Sequence, residues 1–483
     1  AWEYTIQTGY TALTLTNILE SVTLTANDTN KYFQTTLYEG NGAGQRVGAF
    51  QPFSNDFTVA KSALFGDTLA LNKSLSRSQT AGSNTVWTIS AWLKKSGVLN
   101  TVYVNSGTGS AQGQLGFNAN GQLYLYNGST TVGITTRDFH DTSQWHHYHV
   151  MYNTGATGTD KVQLHVDGVQ ITSWATDNRS GAGAFTDMNQ NSATIFVGNN
   201  SSGSDAIYFN GYMSEFVLLD GTASAYTNFG QTDTSTNRWV PKDVSGLSYT
   251  GANSTYLNFA DASDLGNDAS SGGSIDYTNN NTVTSSTDSP TTNYAVLNSN
   301  NKAATVILSK GNTEMTTGVA SIYNAVGTIP MKTGKYYFEV KTVSSDATYP
   351  VIGVTSASAT VTGNAELGDA AVGGIGYRAS GAVIQGAATI QSYASWSSAT
   401  NIAGCAYDAD TGKVWFRASA GWNGDPAAGT GEAAILSATD GEAIFGVSGY
   451  SGAKPRALFT EADWTYSAPT GFVALAQDNL AGT

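Results

Sequence analysis

The stretch QWHHYHVMYN, Gln144 to Asn153, decides how this chain is read. It carries three of the five histidines; His140 lies just before it and His165 just after. Three interpretations compete: a metal site, a catalytic site, or a β-strand that happens to be built from histidines. On a strand, side chains two apart share a face, so Trp145, His147 and His149 point one way and His146, Tyr148 and Val150 the other. A zinc site needs three or four converging ligands. His147 and His149 supply two, and a third requires His165 or Asp167 across the sheet. The strand reading asks for nothing more: Trp145 and one set pack inside while the rest hydrogen-bond or face solvent. On that reading His147 and His149 are scaffold and bind no metal.

The rest of the chain has the composition of β-structure. Of 483 residues 12% are charged and 11% aromatic, with 25 Tyr and 10 Trp. That charged share is about half the roughly 25% of an average globular protein, so surface polarity falls to Ser, Thr, Asn and Gln. Hydroxyl, amide, β-branched and aromatic side chains favour strands and polar turns over helices. The length implies two to four domains of about 150 residues each. A net charge of −14 argues against a nucleic-acid-binding face, which needs clustered basic residues, and against anionic membranes. No run approaches the roughly 18 apolar residues of a membrane span, so no membrane insertion is expected. AWEYTIQTGY lacks the basic start and apolar core of a secretory leader. The single cysteine, Cys405, forms no intrachain disulfide; within the apolar run NIAGCAYDAD it reads as a small buried residue.

Four segments follow. Residues 1–55 alternate like two short strands and end in the glycine-rich EGNGAGQRVGAF; too short for a large core, they read as an attachment or oligomerisation segment. Residues 56–240 carry recurrent strand candidates separated by glycine-bearing turns, the pattern of a two-sheet sandwich. Residues 241–300 are dominated by Ser, Thr, Asn, Asp and Gly and read as a polar linker that lies over its neighbours or bridges them. Residues 301–483 form a third β-rich unit with a C-terminal tail, and GCAYDADTGKVWFRA in it is a hairpin. The expected fold class is all-β: two antiparallel β-sandwich domains of jelly-roll type in tandem, with a small β-rich N-terminal segment.

Specific motifs carry resemblances. WTISAWLKK, WHHYHVMYN, VQLHVDGVQI and YFNGYMSEFVLLDG, in that order, resemble the laminin-G-like, concanavalin-type lectin domains, in which a Trp and paired histidines open a central strand. TGKYYFEVKTV, VIGVTS, GIGYRASG and IAGCAYDADTGKVWFRASAGWNGDPAAGTG resemble the SPRY (B30.2-like) sandwich. The order of the two, joined through RWVPKDVSGLSYTG and DSPTTNY and closed by PTGFVAL, resembles tail-fibre-like virion proteins of tailed bacteriophages over residues 65–475.

Those resemblances direct attention to particular residues. Lectin-type sandwiches often hold Ca²⁺ in rim loops through Asp, Asn and carbonyl oxygens, and Asp138, Asp141 and Asp205 are the candidate ligands. Glycoside hydrolysis wants two carboxyls about 5–10 Å apart; no Glu-x-Asp-x-x-Glu pattern is present, and Glu215, alternating with apolar neighbours, reads as a solvent-facing residue of the closing strand. No phosphate loop, dinucleotide fingerprint or nucleophile elbow occurs. Sugars bind through stacking on aromatic rings and short planar hydrogen-bonding groups. Tyr393, Trp396, Arg378 and Trp422 are the candidate ligand-binding residues, with Trp396, set among serines, the exposed aromatic. Trp415 and Trp422 also suit hairpin packing.

The expectation is therefore a non-enzymatic virion protein: a tail fibre or fibre-like appendage adhering to host surface polysaccharide. Homotrimers are expected from the fibre analogy, with other virion proteins contacted through residues 1–55. The rivals are a capsid-decorating, neck or tail-lattice protein working through protein–protein contacts, and a polysaccharide depolymerase.

Overall fold

A computed structural model describes residues 57–480, except 67–72, 98–100, 108–111, 192, 200–207, 235, 273–274, 318–320, 345–347, 362–363, 399–400, 440 and 451. Residues 1–55, expected to be an attachment or oligomerisation segment, and Asp205 lie outside the described residues. Those described form four large β-sheets, interrupted only by short 3₁₀ turns. Nearly every strand pair is antiparallel, as expected for an all-β chain. No helix among the described residues is long and apolar enough to cross a membrane.

In the first sandwich the histidine strand, His146–Asn153, pairs with Val86–Lys95 on one side and Val162–Val166 on the other. Trp92 stands opposite His147, Ser90 opposite His149, and His149 opposite His165. Val86–Lys95 continues the sheet to Gly211–Asp220. The facing sheet runs through Thr130–Asp138, Gln122–Asn127, Gly113–Phe117, Thr101–Ser106, Thr194–Val197 and Ser74–Ser78. Tyr148, Val150 and Tyr152 meet Leu115, Phe117 and Leu123 in the core between them. His147 and His149 face outward and are fully buried as well, because residues from the 224–256 region lie over that face. There Phe229, Val244, Tyr249 and Tyr256 pack on Val217 and Leu219.

The polar segment 241–300 is not a free connector. Thr255–Leu257 pairs with Gly211–Asp220, Thr278–Asn280 with Ser74–Ser78, and Thr284–Ser286 with Ser62–Phe65. The segment thus adds strands to both sheets of the first sandwich, and Leu257, Phe259, Leu265, Tyr277 and Val283 enter its core. Its Asp and Asn residues spend themselves on local turns: Asp261 Oδ1 accepts the Ser263 amide and Asn258 Oδ1 that of Ala260. Composition averaged over the segment hides the widely spaced apolar anchors.

The second sandwich stacks a sheet centred on Ala443–Tyr450, with Ile322–Met331 and Val351–Ser356 beside it, on one centred on Lys335–Ser344. The expected hairpin is present: Ile402–Asp408 and Lys413–Ala418 pair with Asp408 opposite Lys413, and Gly412 takes φ +73° in the turn. Cys405 is fully buried in this core, where burial raises its thiol pKa. The C-terminal tail docks through Val473–Ala474, parallel to Lys335–Ser344, with Leu475 and Leu480 buried.

The sandwiches meet at a buried ammonium. Lys94 Nζ donates to Asp288 Oδ2, Asn293 Oδ1 and the Tyr294 carbonyl, each at 2.7 Å. Asp288 Oδ1 accepts Trp145 Nε1–H at 2.8 Å. Burial pushes the lysine down and the aspartate up. Even so, three acceptors around one nitrogen match the three donors of an ammonium, and the pair is ionic.

Candidate functional site

The histidine strip is a hydrogen-bonded part of the scaffold. Trp239 Nε1–H donates to His147 Nδ1 at 3.0 Å, so His147 donates from Nε2 to Ser90 Oγ at 2.7 Å. His149 donates from Nε2 to the Ser224 carbonyl at 2.9 Å. Burial holds His147 well below its ordinary pKa and takes His149, with His165 beside it, to about 3. His165 stacks on Tyr226. The Nδ1 atoms of His149 and His165 lack hydrogen-bond partners, but two imidazoles fall short of a zinc site. Among the described residues no three His, Cys, Asp or Glu side chains converge as metal ligands.

His146, on the opposite face, is held between two carboxylates. Its Nδ1 donates to Asp167 Oδ2 at 2.7 Å and its Nε2 to Asp141 Oδ2 at 3.0 Å. Burial alone would lower its pKa; the Asp167 charge and the two hydrogen bonds outweigh that and raise it to about 10. The ring is therefore an imidazolium. Asp141, a candidate calcium ligand, is thus engaged by His146, and its other oxygen accepts the amide and hydroxyl of Ser143. Asp138 is exposed and contacts His140 at 3.0 Å. The structure does not join the two in one site.

Glu215 also departs from expectation. It is 5% exposed, because it sits in a β-bulge between Ser214 and Val217, with φ +49°, on the covered face. The extra residue breaks the alternation on which a solvent-facing assignment rests. Its Oε2 accepts Tyr256 O–H at 2.5 Å, and burial pushes its pKa up to about 8.

Of the four ligand-binding candidates in the second sandwich, Trp396 and Tyr393 both lie beside Tyr377, while Arg378 and Trp422 belong to different sheets, so the structure does not gather them into one platform. Trp396 is a correction: it is 1% exposed and packs in the core beside Tyr377. The serines around it face outward while the indole turns in. Arg378 grips Glu366 through Nε, 3.0 Å from both carboxylate oxygens, and through a terminal nitrogen. Tyr393, half-buried, accepts a hydrogen bond from Asn423 Nδ2 at 3.1 Å. Trp422, also half-buried, lies against Tyr337 and the Arg417 guanidinium. Trp415 is fully buried and donates to the Thr430 carbonyl.

A cavity large enough for a ligand lies elsewhere, between the sandwiches. It measures about 340 Å³. Lys61, Tyr212 and residues 284–288 line it from one side, Tyr294, Lys310, Arg456 and Asp463 from the other. Tyr212 O–H donates to the Gly311 carbonyl at 3.1 Å, tying the turn that carries Lys310 to the first sandwich.

A family model described as the concanavalin A-like lectin/glucanases superfamily matches residues 72–227. The first sandwich is similar to those proteins. Three solved structures are also similar. A heptameric, SAP-like pentraxin from Limulus polyphemus is 13% identical, with a TM-score of 0.27, covering 35% of this chain and 81% of that one. The SPRY domain of human HERC1 is 16% identical, with a TM-score of 0.28, covering 35% and 99%. A candidate carbohydrate-binding protein from Bacteroides ovatus is 17% identical, with a TM-score of 0.33, covering 48% and 61%. Likenesses at this level assign no activity. No curated protein matches.

Sequence reasoning missed the cleft. Its cations come from positions 61, 310 and 456, so no local motif could mark it. The one faint signal was the paired Lys94–Lys95 closing an apolar strand, a position where an unpartnered charge would be costly.

Proposed function

We propose that this chain is a non-enzymatic virion protein of a tailed bacteriophage, a tail fibre or fibre-like appendage that adheres to host surface glycans. The observation that carries the reading is the cleft of about 340 Å³ beside a lectin-type sandwich. Its volume is within the roughly 300–1,000 Å³ of ligand pockets. Tyr212 and Tyr294 bring rings to it and residues 284–287 bring hydroxyls, the mixture that sugars require. Adhesion without cleavage is supported by how the buried carboxyls are used. Asp141 is engaged by His146, Glu215 by Tyr256 and Asp288 by Lys94, while Asp220 accepts the Ser83 and Asn253 amides. Weak sites repeated in a homotrimer would add through avidity, with residues 1–55 as the docking segment for other virion proteins.

Probing an array of bacterial polysaccharides with the full chain tests this reading. Retention by at least one host polysaccharide, with its chain length unchanged after incubation, is expected. Failure to bind any of them, or to bind whole host cells, would overturn adhesion.

One observation favours the rival role of capsid-decorating, neck or tail-lattice protein. Among the described residues, the exposed large apolar side chains Ile307, Val343, Ile390, Ile435 and Val473 all belong to the second sandwich. Ile390 lies on Ala388–Ser392, an open sheet edge of the kind that invites protein contacts.

A further inference from the structure

We propose that Lys94 and Asn293 join in an intramolecular isopeptide bond, with Asp288 moving the protons, so that the junction between the sandwiches is clasped covalently. The inference does not rest on the adhesion reading.

The junction brings together a nucleophile, an electrophile and a proton carrier. Lys94 Nζ lies 2.7 Å from Asn293 Oδ1 and 2.7 Å from Asp288 Oδ2. Laying a carbonyl bond of about 1.23 Å end to end with that 2.7 Å contact puts Asn293 Cγ at most about 3.9 Å from the nitrogen. A reactive encounter needs roughly 3–3.5 Å. The carboxamide is held in this orientation: its Nδ2 donates to the Ser143 carbonyl at 3.2 Å, and the Asn293 backbone carbonyl accepts the Gln477 amide. Asp288 is fixed as firmly. Its Oδ1 accepts Trp145 Nε1–H at 2.8 Å, and its backbone carbonyl accepts Ser62 Oγ–H at 2.6 Å. Groups held in this way have already lost the freedom that a bimolecular encounter would take from them.

Burial supplies the reactivity. Lys94 is fully buried, its Nζ 5.9 Å from the centre of the Tyr212 ring, which packs with Leu64, Trp92, Trp145 and Val296. A desolvated ammonium releases its proton more readily and a desolvated carboxylate takes one more readily. Burial moves Lys94 and Asp288 in those two directions. The resting pair is ionic. Transfer of one proton along the 2.7 Å contact to Asp288 Oδ2 leaves a neutral amine, the form that attacks a carbonyl carbon.

The step balances without a co-reactant. The Nζ lone pair adds to Asn293 Cγ, and the Cγ–Nδ2 bond breaks. Asp288 relays a proton from Nζ to Nδ2, and the nitrogen leaves as ammonia, which takes up the proton first given by lysine and departs as ammonium. An Nζ–Cγ amide remains, Asp288 is a carboxylate again, and nothing is oxidised or reduced. The bond would tie the strand Val86–Lys95 of the first sandwich to a residue pinned on the C-terminal tail, which docks on the second.

The test is a tryptic map of the full chain with its intact mass, taken after overnight incubation at neutral pH. The expected mass is lower than that of the unlinked chain by one ammonia. Cleavage after Lys94 is expected to be lost, and a branched peptide should join residues 78–95 to residues 243–302. Lys94→Arg and Asp288→Ala are each expected to restore the full mass and to lose the branched peptide. A wild-type chain of full mass that trypsin cuts after Lys94 would overturn the proposal. So would a branch at Asp288 with loss of water, or an ammonia loss that persists in Lys94→Arg. If the variants fail to fold, the wild-type map decides.

Discussion

Single residues in this chain are governed by what covers them more than by their own chemistry. Glu215 is the clearest case. Its folded pKa, about 8, lies above the ordinary carboxylate value, so the folded state holds the proton more tightly. Its contribution is intact below about pH 4.5 and is lost as pH rises through 8. Glu215→Gln is expected to melt higher than wild type at pH 9, by a few degrees, and to match it at pH 4. Thermal melts at the two values check this; equal shifts at both would contradict a titrating origin. Trp396 makes the opposite point. Polar neighbours suggest exposure, yet the indole is buried in the second core. Trp396→Ala should cost about 3–5 kcal/mol, as large core truncations do, measured by denaturant unfolding. No local pattern distinguishes a tryptophan among serines that stacks on a ligand from one that turns inward. The Trp-His-His opening, by contrast, was legible, because a strand with alternate faces needs only the residues in it.

At the level of elements, strands and hairpins were readable wherever alternation and turn residues coincide, as in Ile402–Asp408 with Lys413–Ala418. The segment 241–300 was not, since Leu257, Phe259, Leu265, Tyr277 and Val283 are spaced beyond any strand period. The covered outer face escaped for a related reason: sandwich logic leaves outer faces to solvent, and here residues 224–256 bury one. A consequence is that residues 57–240 do not make a complete domain. A chain ending at 240 lacks the strands that pair with Ser62–Phe65 and Ser74–Ser78, and is expected to aggregate or be rapidly proteolysed, whereas one ending at 300 should resist longer. Limited proteolysis of the two fragments distinguishes them.

For the whole molecule, Lys94 joins the sandwiches, since it pairs with Asp288 beside the first sheet and donates to the carbonyl of Tyr294, which packs in the second core. Removing one partner of a buried ion pair typically costs about 3–5 kcal/mol. Asp288→Asn should therefore lower the melting temperature and broaden the particle in small-angle scattering, since the junction carries both the lock and the cleft. A double replacement, Lys94→Met with Asp288→Leu, should recover much of the stability, showing that the lone charge is the damage. The cleft itself could not be foreseen, because its walls come together only when both sandwiches are built. Ser62–Phe65 waits for Thr284–Ser286, more than two hundred residues later in the chain. At about 5–20 residues per second of synthesis, its edge stays open for roughly 10–40 s on the ribosome. An open edge invites pairing with other chains through that interval, so the yield of folded protein is expected to depend on the speed of translation as well as on the finished contacts.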